Sequence, residues 1–442
     1  MPCSRGSYAS LSLLPPLSLS LSKKGDELSW TTTMAACLRK TAVIHVSVLL
    51  LIFTIHFSDN DFLQGVACLG INYGQVGNNL LPPERVIDLL SAVKLRKVRI
   101  YDTNPQVLAA FAGSDVDLIV TVENEMLGPL TDPQQALQWL NAHVKPYFPR
   151  TRIAGIHVGN EILDADSPDP ALVANLVPAM VSLHAALSQL GLDRYIQVST
   201  PMSLGVLAES YPTSAGRFKL EVADIMSQFL QFLASTGSPF WINAYPYFAY
   251  KDDPSRVSLD YVLANPNQGM VDPYTNLRYD NMLYAQVDAV VFAMARMGFQ
   301  GIEVRVSETG WPSKGDPNEV GATVQNAAIY NRNLLRRQLE NEGTPLRPNT
   351  RLEVYVFALF NEDMKPGPTS ERNYGLFQPD GTMAYNVGLA GLSTSSDKSD
   401  PSTSISLTSS ADKVASKGNQ GMAYWAFVYL LTFQVIMRRR PF

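Results

Sequence analysis

Cysteine is scarce: three occur in 442 residues, at positions 3, 37 and 68. The first two fall in a segment expected to be discarded. Stability therefore cannot rest on intramolecular disulfides, even in an oxidising compartment. The five histidines, at 45, 56, 143, 157 and 184, are scattered and show no metal-ligand spacing with cysteine. There is no excess of positive charge either: the formal net charge of -5 gives no support to a nucleic-acid partner. Gly70-Ile-Asn-Tyr-Gly74-Gln-Val-Gly77 follows the first apolar run without the Gly-x-Gly-x-x-Gly fingerprint of a phosphate loop. No Asn-x-Ser/Thr acceptor occurs. The expectation is an enzyme with no metal and no cofactor, working with acids, amides and rings.

Long apolar runs are missing as well. Residues 41–55 form an apolar stretch behind the short basic region ending Arg39-Lys40. That stretch falls short of the ~20 residues a spanning helix needs. Its layout predicts a secretory leader over 34–67, with small residues at Gly65-Val66-Ala67 for cleavage. Residues 1–33, rich in Leu and Ser, read as a non-native or transit-like prefix. At the other end, 391–410 is a Ser/Thr-rich linker. Small residues at Ser409-Ser410-Ala411, a polar spacer and an apolar stretch from Met422 follow, over 411–442. That order predicts glycosylphosphatidylinositol attachment at Ser409 or Ser410, hence a partner in the outer leaflet of the plasma membrane. A short single-pass anchor would also fit, since Arg438-Arg439-Arg440 follows the apolar stretch.

What is present lies between 68 and 390. Eight strand-like runs occur at 68–73, 97–101, 117–122, 153–158, 195–200, 240–245, 302–307 and 353–360. Helical patterns separate most of them, at 83–93, 105–111, 132–147, 169–190, 218–234, 281–297 and 322–340. Asp132-Pro133 supplies an N-cap with proline in the first turn. This alternation predicts a single (β/α)8 barrel domain, with a doubly wound open sheet as the alternative. In a barrel the working groups gather at the carboxyl ends of the strands. Those ends carry Asn72-Tyr73, Tyr101-Asp102, Glu123-Asn124, Asn160-Glu161, Thr200-Pro201, Asn243-Ala244-Tyr245, Ser307-Glu308 and Phe360-Asn361-Glu362. So many amides, carboxylates and rings at equivalent positions exceed what a structural face requires.

Glu308 ends the seventh run, where Gly310 and Pro312 stop the regular backbone. Trp311 beside it offers a flat face suited to the apolar side of a pyranose. Glycoside chemistry needs a second carboxylate, and Glu161, ending the fourth run, is the best candidate. Val158-Gly159-Asn160-Glu161, Ser307-Glu308-Thr309-Gly310-Trp311-Pro312-Ser313 and Phe360-Asn361-Glu362 through Lys365-Pro366-Gly367-Pro368 resemble the plant endo-β-1,3-glucanases of glycoside hydrolase family 17. The resemblance runs from about Leu69 to Leu389.

That resemblance implies endo-hydrolysis of β-1,3-glucan with retention, Glu161 as acid/base and Glu308 as nucleophile. It also implies a supporting role at the cleft for Glu362, Lys365 and Glu371. Asn160 is expected to donate to the sugar 2-OH. Tyr73, Tyr245, Tyr247, Phe248, Trp311 and Phe377 are candidate subsite walls, and Tyr101 is ambiguous. Lys365 is expected between carboxylates. Arg99, a charge inside a strand, must be paired if it faces the barrel; Asp102 or another carboxylate could serve, in a structural role. Two departures from the family pattern stand out: Thr309 after the nucleophile, and Glu123-Asn124-Glu125, whose extra carboxylate either alters a subsite or faces solvent.

Overall fold

The computed structural model describes residues 69–163 and 169–388. The prefix, leader, linker and anchor segments expected from the sequence, with Cys68, Ser409 and Ser410, lie outside the described residues. Eight parallel barrel strands are present. They are Leu69–Asn72, Lys97–Arg99, Asp117–Val122, Arg152–Val158, a fifth in two halves (Gln197–Ser199 and Pro201–Ser203), Phe240–Asn243, Val304–Thr309 and Val354–Val356. Each pairs with its neighbours in sequence, and the first pairs with the eighth through Leu69 and Val354. The fifth strand completes the ring: Gln197–Ser199 pairs with the fourth strand, and Pro201–Ser203 with the sixth. The open-sheet alternative is excluded by that closure.

The expected helices form at Pro83–Ala92, Pro105–Ala110, Pro133–His143, Pro170–Gln189, Ala223–Thr236, Met282–Arg296 and Val324–Leu339. Several of their starts are fixed by side chains that satisfy free backbone donors, though Pro83–Ala92 and Ala223–Thr236 have no such cap. Asp132 accepts from the amides of Gln134 and Gln135, Asp169 from Ala171, and Asn281 from Tyr284. Some boundaries differ from the sequence reading: the helix expected over 132–147 ends at His143, and the strand expected over 353–360 spans Val354–Val356. Phe218 pairs with Leu207 in a small antiparallel hairpin, so the helix expected from 218 begins at Ala223. Pro170–Gln189 is long and apolar enough to cross a membrane, yet it carries buried residues such as Leu176, Met180 and Leu183 and packs on Pro133–His143 as part of the helix ring.

Strand alternation divides the side chains into two sets. Val98, Leu118, Val120, Ile156 and Val306 join the core between strands and helices, while Ile119, Trp241 and Tyr355 cluster separately. We place this second cluster inside the barrel. Gly70 is required there, because a Cβ would lie 2.4 Å from the Tyr355 ring. His157 sits against Trp241, ring centroids 5.0 Å apart. Burial, then the charges of Arg99 and Arg305, hold its pKa well below the ordinary imidazole value.

The seventh strand carries a β-bulge. Val306 pairs with Ile242, but the next partner on the sixth strand, Asn243, pairs with Glu308. One extra residue is thereby accommodated, which reverses the alternation beyond it. Val304 and Val306 belong to the helix-facing core, yet Glu308 opens into the barrel mouth. Thr309, the departure noted above, is fully buried, with its hydroxyl bonded to Tyr330 of the helix Val324–Leu339.

Candidate active site

A cavity of about 1050 Å³ lies at the carboxyl ends of the strands, and both Glu161 and Glu308 line it. Glu161 follows a tight turn. Gly159 has φ 72° and a Cβ there would come within 2.9 Å of Ile162. Glu161 itself has φ 54°, a left-handed conformation that costs a non-glycine residue about 1–2 kcal/mol. The turn is held from outside: Asn160 N donates to Asn124 Oδ1 (2.9 Å), and Glu161 N to the carbonyl of Pro201 (3.0 Å). Asn124 is thus a supporting residue that its motif alone did not reveal. Glu123 beside it is exposed, so the extra carboxylate faces solvent.

Glu308 is 7% exposed and receives three donors. Arg99 Nη1 (2.6 Å) and the Tyr101 hydroxyl (2.7 Å) both donate to Oε1. The Tyr245 hydroxyl donates to Oε2 (2.8 Å). Burial first, then the charge of Glu308, pushes both phenols well above the ordinary tyrosine range, so they remain donors. Arg99 therefore pairs with Glu308 rather than with Asp102, and its guanidinium is part of the site. Asp102 instead accepts from Gln75 Nε2 (3.2 Å) and from the amide of Asn104 (3.0 Å).

A relay of hydrogen bonds joins the two glutamates. Arg99 Nη2 donates to Asn160 Oδ1 (2.7 Å), and Asn243 Nδ2 approaches the same oxygen (3.5 Å) and donates to Glu161 Oε1 (2.8 Å). Asn243 is itself oriented by Ser307, whose hydroxyl donates to its Oδ1 (2.6 Å). Because Asn160 Oδ1 is occupied as an acceptor, its NH2 group is left to donate. Asn243 was visible in the sequence as a polar strand end, but nothing there signalled its grip on Glu161.

Beyond the eighth strand, Glu362 is buried and lines the cavity, its Oε1 accepting from the amide of Val76 (2.8 Å). It fits against Gly74, where a Cβ would lie 2.3 Å from its oxygens. Burial raises its pKa, with Glu371 and Glu308 adding to the rise and Lys365 opposing it. Lys365 pairs with Glu371 (3.3 Å) and lies 4.2 Å from the Phe357 ring centroid. All three line the cavity.

The aromatic walls differ in part from expectation. Tyr73, Tyr101, Tyr245 and Phe248 line the cleft, joined by Phe357 and Tyr374. Burial, then nearby carboxylates beginning with Asp102, pushes the Tyr73 phenol up to about 12. Trp311 does not line the cleft. It is fully buried, packed on Tyr247 at 5.2 Å between centroids, and its Nε1 donates to the carbonyl of Gly321 (2.8 Å). Burying so large a ring with its N–H satisfied outweighs leaving it wet. Tyr247 and Phe377 are likewise buried behind the wall.

Two carboxylates in one open cleft, among rings and amides at the mouth of a (β/α)8 barrel, define a glycoside hydrolase. The comparisons narrow this. The model of glycosyl hydrolases family 17 matches residues 69–389. Glucan endo-1,3-beta-glucosidase 11 of Arabidopsis thaliana is 52% identical over 324 residues, which cover 73% of this chain and 76% of that protein. The glucan endo-1,3-beta-D-glucosidase of Olea europaea is 41% identical over 73% of this chain and 70% of its own. Among solved structures, CJP38, a beta-1,3-glucanase and allergen of Cryptomeria japonica pollen, is 43% identical with a TM-score of 0.69, covering 73% of this chain and 98% of its own. The chain belongs to glycosyl hydrolases family 17.

Proposed function

We infer that the protein is an endo-acting β-1,3-glucanase that hydrolyses callose-like glucan with retention, Glu308 serving as nucleophile and Glu161 as acid/base. The observation that carries this reading is the bonding of Glu308. Among the described residues, its Oε1 is occupied by Arg99 and Tyr101, while Oε2 holds only the Tyr245 bond. A carboxylate oxygen accepts along two lone-pair directions, so Oε2 keeps one free and is the attacking atom. It forms a bond to the anomeric carbon as the glycosidic C–O bond breaks. Glu161 delivers its proton to the departing oxygen, and the leaving chain departs as an alcohol. Glu161, now a carboxylate, takes a proton from water; the water oxygen attacks the anomeric carbon and frees Glu308. Retaining chemistry requires carboxyls about 5–5.5 Å apart, a condition the shared relay through Arg99, Asn160 and Asn243 favours. Glu362, Lys365 and Glu371 support this site by holding sugar hydroxyls and local charge.

The test is release of reducing ends from laminarin, with the anomer of the first product followed by NMR. Wild type should yield the β-anomer first, and Glu308→Gln should lose at least about a thousandfold in kcat. An initial α-anomer, or no release by folded wild type, overturns the reading. The sequence segments 34–67 and 411–442 further suggest secretion and lipid anchoring at Ser409 or Ser410, on the outer face of the plasma membrane. Phosphatidylinositol-specific phospholipase C should then release the mature protein from membranes; retention under effective digestion contradicts the anchor.

A further inference from the structure

The bulge in the seventh strand displaces one peptide carbonyl from the ladder. On the sixth strand, the amide of Phe240 donates to the carbonyl of Glu303 (2.8 Å). Four residues on, the amide of Ala244 donates to the carbonyl of Glu308 (2.9 Å), which is five residues beyond Glu303. Evenly spaced parallel pairing would have sent that amide to Ser307. On the other flank Val306 pairs with Val354 and Thr309 with Val356, so Ser307 is passed over there too. Ser307 is fully buried, and a carbonyl so placed needs a donor from within the protein.

Asn72 supplies it. Its Nδ2 donates to the carbonyl of Ser307 (3.0 Å) and to that of Val356 (3.3 Å). The first strand borders the second and the eighth, not the seventh, so this side chain reaches past one strand to hold the next. Both partners are carbonyl oxygens, which fixes the NH2 end of the amide toward them. The backbone beneath is pinned on both sides: the amide of Leu359 donates to the Asn72 carbonyl, and the amide of Tyr73 to that of Arg99, both 2.8 Å.

This arrangement is costly to the fold. Asn72 is fully buried, and its Oδ1 has no partner among the described residues. A buried oxygen left unsatisfied lowers stability. A seventh strand paired without the bulge would need neither the amide nor its orphan oxygen. Local conflicts of this kind are found at functional sites, and what this one secures is the direction of Glu308. The cleft itself is lined by Tyr73 and Gly74, which follow Asn72, and not by Asn72.

We propose that Asn72 is a positioning residue for the nucleophile: by bonding the displaced carbonyl of Ser307 it holds the bulge in place and keeps Glu308 aimed into the cleft. The proposal rests on the glucanase reading and adds to it the residue on which the aim of Glu308 depends. Asn72→Leu keeps the volume and removes both donors. A displacement of about 1 Å at a reacting group costs up to about a hundredfold in rate, so kcat on laminarin should fall about 10- to 100-fold, with KM within about twofold of wild type. The same loss in kcat/KM should appear on a dinitrophenyl β-laminarioside, whose leaving group departs without a proton but still requires attack by Glu308. Ser307→Ala is the comparison. It leaves the carbonyl to Asn72 but removes the hydroxyl that orients Asn243 on Glu161, so it should lose more on laminarin than on the activated glycoside. Asn72→Asp guards against a folding defect in Asn72→Leu. A protonated carboxyl keeps one donor and an ionised one keeps none, so its activity should approach wild type at low pH and fall below it as the carboxyl ionises. Each preparation is also melted. A lowered Tm with kcat within about threefold of wild type overturns the positioning role. So does a loss carried by KM, a loss confined to laminarin, or an Asn72→Asp activity that is low at every pH, and each leaves the glucanase reading intact. Failure of wild type to cleave laminarin is the separate result that overturns the glucanase reading.

Discussion

Arg99→Lys is the most informative single substitution. The guanidinium is completely buried and spans two partners at once, Glu308 at 2.6 Å and Asn160 at 2.7 Å. Lysine keeps the charge but presents one ammonium on a flexible stem, so it cannot reproduce both bonds in the same geometry. Losing one hydrogen bond to a charged group costs about 1.5–3 kcal/mol. If that loss falls on the transition state, kcat/KM drops about 10- to 150-fold. Because the charge survives, stability should fall by only a few degrees in Tm. The assay is kcat and KM on laminarin beside a thermal melt of the same preparation. A merely structural arginine would give the opposite pattern: a lowered Tm with kcat/KM within threefold of wild type. That outcome would refute the assignment of Arg99 to the site.

Two further expectations follow from the geometry. Trp311→Ala should cost about 3–5 kcal/mol of stability, as for other buried large rings, and lower Tm by about 10 °C with KM for laminarin unchanged. A raised KM with an unaltered melt would return Trp311 to the groove. Burial alone would raise the pKa of Asp272, but hydrogen bonds from Ser214, Thr275 and Tyr274 outweigh it and bring the carboxyl down to about 2. A depressed carboxyl contributes stability above its unfolded value near ~4 and loses it as pH falls toward 2. Asp272→Asn should therefore melt below wild type at pH 7, with a gap that narrows between pH 4 and pH 2. A gap constant across that range contradicts the linkage.

Much of this was legible in the sequence because barrels put function at strand ends, and strand ends are where apolar runs meet polar residues. The runs ending in Asn160-Glu161 and Ser307-Glu308 do converge on one cleft. Helix starts were readable wherever a cap residue preceded proline, as at Asp132 and Asp169. What stayed hidden depends on geometry between strands. Arg99 could be recognised as a charge needing a partner, but which carboxylate it meets is set by register and tilt around the ring. Trp311 lies three residues beyond Glu308, yet the loop turns its ring inward, onto Tyr247 and Tyr330. Proximity along the chain does not say on which side of a loop a side chain falls. Asn124, in the turn after the third strand, and Asn243, ending the sixth, act on Asn160 and Glu161 from elsewhere in the chain, and no local pattern reports such a reach.

The extra residue in the seventh strand makes the position of Glu308 a matter of counting. Drawn straight at the same length, with Ser307 rather than Glu308 opposite Asn243, the strand would alternate simply, turning this carboxyl toward the helices and Thr309 toward the barrel mouth. Such a chain could keep its composition, its hydrophobic content and nearly all its pairing while losing its reaction. For this strand, register is as much a determinant of where the carboxyl falls as the identity of the acid it carries.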